Sequence, residues 1–488
     1  MDKLLGFAPD ADPMTPGVMT ACAQIIPFET GFMGAPTGNA PAGVGALASD
    51  ARGAAVLQAL DDSRRVFAGT QSKLYELTGT TWTDRSAGGG SYTGSIDSRW
   101  SWAQFGNTSL ATNSVDAMQS SASGAFAAIA AAPKAKIIVS ASNNFVIAFN
   151  TNDGTYGVQP DRWWCCAQND QTTWTPSVAT GATTGRLIGM PGSITAALTL
   201  GDYVVAYKLR GVFVGSFVGS NNGTWQWTLV PGSNQSGVIG QDAICDIGGA
   251  HFYCGDDDFW LFDGSSAPVS IGDDIRNWFK ANSSDAWRYR TKCTFDRGRN
   301  LVWVNFPSVS SSGACDACIV WHTKRKRWGV ASRTVEAVLN YIQPGTTIDG
   351  LNAYSSTIDG LPPIPFDSAY WFSGGRVFAY FDATHQLVVA NGACGASSFT
   401  TGDFGSDEAV MDLDAYRIRF LQSPTTAQAQ GIFRNDSGGT FSVGPTEQRY
   451  TGRFDVRQAA NWHRLNVSMT GDHKMAAHQA DMTPASER

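Results

Sequence analysis

Glutamate and lysine are scarce in this chain, with 6 Glu against 36 Asp and 10 Lys against 25 Arg in 488 residues. Glu and Lys favour helix interiors, whereas Asp favours caps and turns, where its short carboxylate accepts from nearby backbone N–H groups. The imbalance argues against a helical protein. No stretch approaches the ~20 uninterrupted apolar residues of a membrane-spanning helix, and the opening Met1-Asp-Lys-Leu-Leu-Gly6 has no signal-peptide apolar region. Neither a membrane span nor export is expected. Histidine is limited to six residues, and no H-E-x-x-H, G-x-S-x-G, G-x-x-x-x-G-K-[ST] or strand–helix G-x-G-x-x-G motif occurs. No catalytic residue, no cofactor-binding residue and no metal ligand is expected, and the protein is expected not to be an enzyme.

What is abundant points to strands and tight turns. There are 53 Gly and 16 Trp, 43% of the residues are hydrophobic and 16% are charged, so the chain can bury a large core. A formal net charge of −7 gives no global argument for tight nucleic-acid binding. The nine cysteines are odd in number and scattered, which suits reduced, buried thiols better than a disulfide framework.

From Arg65 onward a unit recurs: an apolar strand, a Gly/Asn/Asp turn, a second apolar strand, and often a strand bearing Trp. It is seen in Val66–Leu77 leading to Trp82, and in Lys136–Phe149, turning at Asn143-Asn144. It returns in Tyr203–Gly215, turning at Arg210-Gly211, and in His251–Gly264, turning at Asp256–Asp258. Asn300–Phe306 with Ala317–His322, and Tyr370–Phe381 turning at Gly374-Gly375, complete the series. These are hairpin signatures, and their recurrence suits a β-propeller of five to seven blades over residues 51–395. Trp100 to Ala130 supplies a further, degenerate blade. Asp273 or Asp274 is expected to cap a short helix at Ile275–Ala281. Residues 1–50, rich in Pro, Gly and Ala, read as an extended N-terminal arm, mobile in the monomer and ordered in an assembly. Residues 396–488 alternate polar and apolar positions and read as a separate C-terminal β-sandwich. The fold class is all-β.

Three clusters invite chemistry. Cys315-Asp-Ala-Cys318 is the only C-x-x-C, but a structural zinc site needs a second ligand pair and a redox motif normally opens a helix. Asp256-Asp257-Asp258 lacks the alternate spacing and closing Glu of an EF-hand loop, and reads as a turn. His322-Thr-Lys-Arg-Lys-Arg-Trp328 is the one basic run that could meet a phosphate backbone. Between two strands it reads better as an exposed tip, with Lys324–Arg327 facing a neighbouring subunit.

A longer pattern carries a family resemblance. Thr347-Ile-Asp-Gly-Leu351 is repeated as Thr357-Ile-Asp-Gly-Leu-Pro362, followed by Pro365-Phe-Asp-Ser368 and the run Tyr370–Asp382. Tyr253–Asp263, Asp274–Lys280, Phe295–Trp303 and Val320–Trp328 precede it, and Gly452–Val456 with Trp462–Val467 close the chain. Over residues 200–475 this order resembles the packaged-DNA-stabilisation, or tail-hub, group of bacteriophage proteins. The resemblance implies a propeller-based fold and a ring of six copies at the hub or nozzle of a virion tail, assembled in the host cytoplasm. The implied partners are the portal or adaptor, other tail proteins and the packaged double-stranded DNA passing through the channel. It implies no catalytic residues. The alternative is a propeller that binds or cleaves glycans, which for cleavage needs two carboxylates about 5–10 Å apart.

Overall fold

In the computed structural model, residues 1–220, 223–342, 355, 357–361 and 376–485 are described. The chain is all-β, and most of it forms a propeller. Blade 1 comprises strands Ala54–Gln58, Arg64–Gly69, Leu74–Thr78 and Thr81–Asp84, and blade 2 runs from Ser101–Phe105 to Ala127–Ala128. Blade 3 spans Lys134–Ala141 to Thr183–Arg186, blade 4 Ile194–Leu200 to Gly223–Leu229, and blade 5 Ile244–Asp246 to Val269–Ser270. Blade 6 is Lys292–Asp296, Leu301–Phe306, Ala317–His322 and Arg327–Val330. Blade 7 is Ala337–Ile342, Arg376–Phe381 and Leu387–Cys394, completed by Pro36–Asn39 from the other end of the chain. Six of the seven stand as separate four-stranded sheets, and blade 6 continues into a larger one.

Local chemistry explains the hairpins. Asn143 and Asn144 both have φ of 59° in the three-residue loop between Ala141 and Phe145, a left-handed conformation that Asn tolerates better than most residues. Asp is spent on turns: the carboxylates of Asp61, Asp153, Asp170, Asp263 and Asp382 each accept from a backbone N–H two residues ahead. The degenerate blade expected after Trp100 is blade 2. After Arg376 the chain makes a further hairpin, turning at Asp382–Gln386 with His385 at φ 64°. The Gly374-Gly375 turn and most of the repeat beginning at Thr347 lie outside the described residues, apart from a short 3-10 turn at Ile358–Gly360.

The N-terminal segment corrects the reading of an extended arm. Ile25–Phe28 and Gly31–Gly34 form a hairpin whose first strand meets blade 6 at Ile25–Val330. Its second strand meets Lys474–Pro484, which pairs in turn with Met411–Gln422. One sheet of eleven strands therefore runs from the propeller into the C-terminal domain. Val18–Ala23 pairs with Ala396–Thr401 in the facing seven-stranded sheet. Leu4, Met19, Ile25 and Phe32 fill one sandwich core with Tyr416, Leu465, Val467 and Met475. The C-terminal domain is thus a sandwich, but it is not separate: both ends of the chain build it. Glycine marks the crowding here. A Cβ on Gly31 would lie 2.1 Å from the Met475 carbonyl oxygen, and one on Gly34 2.2 Å from Cys394 Sγ.

The helix forms at Arg276–Asn282, but neither Asp273 nor Asp274 caps it. The carboxylate of Asp10 accepts instead from the backbone N–H groups of Asn277 (2.6 Å) and Trp278 (3.1 Å). A distant residue satisfies the orphan donors of the first turn.

Buried histidines give the fold an acid limit. His251 bonds Tyr207 Oη at 2.7 Å and His478 bonds Tyr416 Oη at 3.0 Å. Burial pushes His251, His322, His463 and His473 below the ordinary value, and His478 down to about 4. In the unfolded chain these rings protonate near pH ~6.5. Below that pH the unfolded state binds more protons than the folded one, so stability falls from about pH 6.5 towards 4. His478 alone is worth on the order of 3 kcal/mol across that window. The urea midpoint is expected to be clearly lower at pH 5.0 than at pH 7.5, and equal midpoints would refute the assignment.

Candidate functional site: the propeller channel and its charged mouth

The first strand of every blade faces the axis. Ala55, Trp102, Ile137, Leu198, Cys245 and Thr294 line a channel of about 460 Å³, together with Leu339 of blade 7. The seven inner strands run in the same direction, so the residues just before or at their starts form one rim. Arg52 stands before blade 1, Arg99 before blade 2, Lys136 within the first strand of blade 3, and Asp242 before blade 5. Lys292 opens blade 6, preceded by Arg290, and Glu336 stands before blade 7.

Much of this charge is paired. Arg52 meets Asp50 at 2.8 Å. Arg290 lies over the Trp287 ring at 4.3 Å and grips Asp97, which also accepts from Tyr289 Oη at 2.9 Å. Burial opposes ionisation of Asp97, but these hydrogen bonds outweigh it and hold the carboxyl below its usual range. Glu336 accepts from Ala51 N–H at 2.9 Å and bonds His385 at 2.7 Å, while burial pushes its carboxyl up. Lys292 donates to the Arg290 carbonyl and to Cys315 Sγ, both at 3.2 Å. Burial pushes the Arg99 guanidinium down from its ordinary value, and the like charges of Arg52 and Arg290 add to this against the pull of Asp242. Lys136 is also pushed down by burial.

The clusters visible in the sequence go elsewhere. Cys315 and Cys318 are both free thiols packed in the same apolar cluster as Trp303 and Phe378. Asp256 and Asp257 are exposed turn residues. Asp258 is buried and accepts from Phe259 N–H (2.7 Å), Ser270 Oγ (2.6 Å) and Arg276 (3.2 Å), which accounts for its charge structurally. Lys324, Arg325 and Lys326 form an exposed hairpin tip away from the channel. Arg325 lies 3.7 Å from Glu29 of the same chain, so the tip leans on the N-terminal hairpin. Among the described residues no group of His, Cys, Asp and Glu is arranged to hold a metal ion. The rim was missed in the sequence because its members are solitary there, each in a different blade.

Eight of the nine cysteines are buried. Burial pushes the Cys22, Cys165 and Cys318 thiols up to about 12 and Cys166 to about 11. Since the thiolate is the nucleophile, the native protein at pH 8 is expected to resist iodoacetamide at these four positions and react fully in urea. Rapid native labelling of any of them, read by peptide mass spectrometry, would contradict this.

No family model and no curated protein matches the chain. Among solved structures it is similar to YCF48 bound to D1 peptide, at 12% identity over 62% of this chain and 88% of that one, with a TM-score of 0.36. It is also similar to the computationally designed Ika8 protein, at 11% identity over 71% and 98%, TM-score 0.34. YCF48 from Cyanidioschyzon merolae matches at 11% identity over 55% and 95%, TM-score 0.28. Likenesses this distant say nothing of function, and the propeller assignment rests on the closed set of seven blades.

Proposed function

We propose that this chain is a structural, non-catalytic subunit of a bacteriophage tail, one of six in a ring at the hub or nozzle below the portal. The observation that carries the reading is the eleven-stranded sheet shared by propeller and sandwich, closed by both ends of the chain. Two lobes joined by a single sheet resist bending at their junction, as a wall around packaged double-stranded DNA must. The order of motifs over residues 200–475, similar to the tail-hub group, supports the same reading. The portal or adaptor and other tail proteins are the proposed partners, and the virion tail the proposed location. Turn-bound Asp carboxylates weigh against the glycan-cleaving alternative, since a carboxylate already accepting local N–H groups is poorly placed as a nucleophile.

Electron microscopy of the purified protein, alone and mixed with portal–adaptor complexes, tests this directly. Sixfold rings that dock coaxially are expected. A persistent monomer that ignores the portal would remove the proposal. So would turnover of a polysaccharide panel that a single Asp→Asn change abolishes.

A further inference from the structure

The rim of the propeller channel holds more free positive charge than its own carboxylates neutralise. Asp50 is bound to Arg52, Asp97 to Arg290, and Glu336 to His385 and a backbone N–H. That leaves Asp242 opposite three cations. Arg99 and Lys136 have no hydrogen-bond or ion-pair partner among the described residues, and Lys292 has only a carbonyl and a thiol. Asp242 acts on both Arg99 and Lys136 through space without touching either. Behind them Arg52 is only 7% exposed, and its Nε–H is buried without a partner. A buried donor left unpaired is destabilising, so it marks a place where an acceptor would be gained. Arg52, Arg99, Arg290 and Lys292 line a common recess of about 280 Å³ beside the channel, of a size for a small ligand and not for a duplex or a folded partner.

We propose that this recess binds a small oxyanion, a phosphate or carboxylate group, held by Arg99 and Lys292 with Arg52 behind them. An oxyanion offers several acceptor lone pairs to the free guanidinium and ammonium donors, in charge-assisted hydrogen bonds that are stronger than neutral ones. It also relieves the repulsion among Arg52, Arg99 and Arg290. Asp242 competes for Arg99, on which its charge acts through space, and so tunes the affinity. The site requires only the single chain, so it stands or falls independently of ring assembly.

The test is calorimetric titration of the full chain with inorganic phosphate and, separately, with citrate, at an ionic strength fixed by sodium chloride. One saturable site is expected, and the preferred anion identifies the group. Arg99→Gln with Lys292→Gln should weaken it by about tenfold or more, as expected for loss of charged hydrogen bonds. Lys324→Gln with Arg325→Gln, at the distant tip, should leave it unchanged. Asp242→Asn should tighten it several-fold, a gain that misfolding cannot imitate. Absence of saturable binding by both anions would overturn the proposal, as would equal affinity in the Arg99/Lys292 variant. If that variant shows no melting transition, Asp242→Asn decides, and an affinity that is not increased overturns it.

Discussion

Deleting residues 1–40 is expected to abolish folding of the whole chain. This segment supplies Leu4, Met19, Ile25 and Phe32 to the sandwich core, and all four are almost fully buried. Phe7 packs edge-on against Trp278 at 5.0 Å beneath the propeller. Pro36–Asn39 is the outer strand of blade 7, where Thr37 Oγ1 donates to the Ala393 carbonyl at 2.8 Å. Arg333 fastens it further: its guanidinium lies 4.5 Å from the Trp303 ring centroid and donates to the Pro36 carbonyl at 3.4 Å. Losing one large buried side chain costs about 2–5 kcal/mol, and a whole domain is stable by only about 5–15 kcal/mol. Removing several at once, with a blade strand, exceeds that margin. The check is solubility together with a thermal melt followed by tryptophan fluorescence. A soluble deletion variant that melts like the intact protein would show that the segment is dispensable.

The second large effect is expected at Asp403 in the sandwich. Its carboxylate is 5% exposed and meets both Arg434, at 3.1 Å, and Arg464. The two guanidinium groups lie over the Phe441 ring, each 4.4 Å from its centroid. Asp403→Ala removes the carboxylate that both guanidinium groups share and leaves two partly buried cations facing each other. Breaking a buried ion pair in this way costs about 3–5 kcal/mol. Asp403→Asn should cost less, because the amide oxygen still accepts one hydrogen bond. Since the eleven-stranded sheet joins the lobes, most of the loss should appear in a single urea transition reported by the propeller tryptophans. Separate sandwich and propeller transitions would show that the shared sheet does not couple them. A midpoint unchanged from wild type would remove the argument for Asp403.

The mixed charge at the propeller rim bears on how charge in such a fold is read. The strongest basic run in the sequence, Lys324–Arg327, ends as an exposed tip with one long contact to Glu29. Exposed pairs of that kind are worth about 0–1 kcal/mol. The cations that do converge, Arg52, Arg99 and Lys292, come from three different blades. Clustering in space and clustering along the chain are unrelated here.

By itself the sequence determined what is local. The excess of Asp over Glu gave strands and turns in place of helices, because a short carboxylate closes its own turn. The apolar runs around Asn143-Asn144, Arg210-Gly211 and Asp256–Asp258 became hairpins where they were expected, since a hairpin needs only two strands and a turn of the right hand. The weak pattern after Trp100 was enough for a blade. Only the tertiary structure decided what depends on partners far along the chain. Ile25–Phe28 and Gly31–Gly34 are four residues each, too short for periodicity to separate from a Pro/Gly/Ala arm. Ile26 is buried among Leu301, Trp303 and Phe378, and Phe32 among Tyr416 and Met475, all far along the chain. The strand that closes blade 7 joins Thr37 to Ala393 across 356 positions. The cap on the only α-helix described comes from Asp10 for the same reason. Ring closure also assembled the charged rim, by bringing the leading ends of seven inner strands to one mouth. Pairing, closure and burial are properties of the folded whole, so no window of sequence contains them.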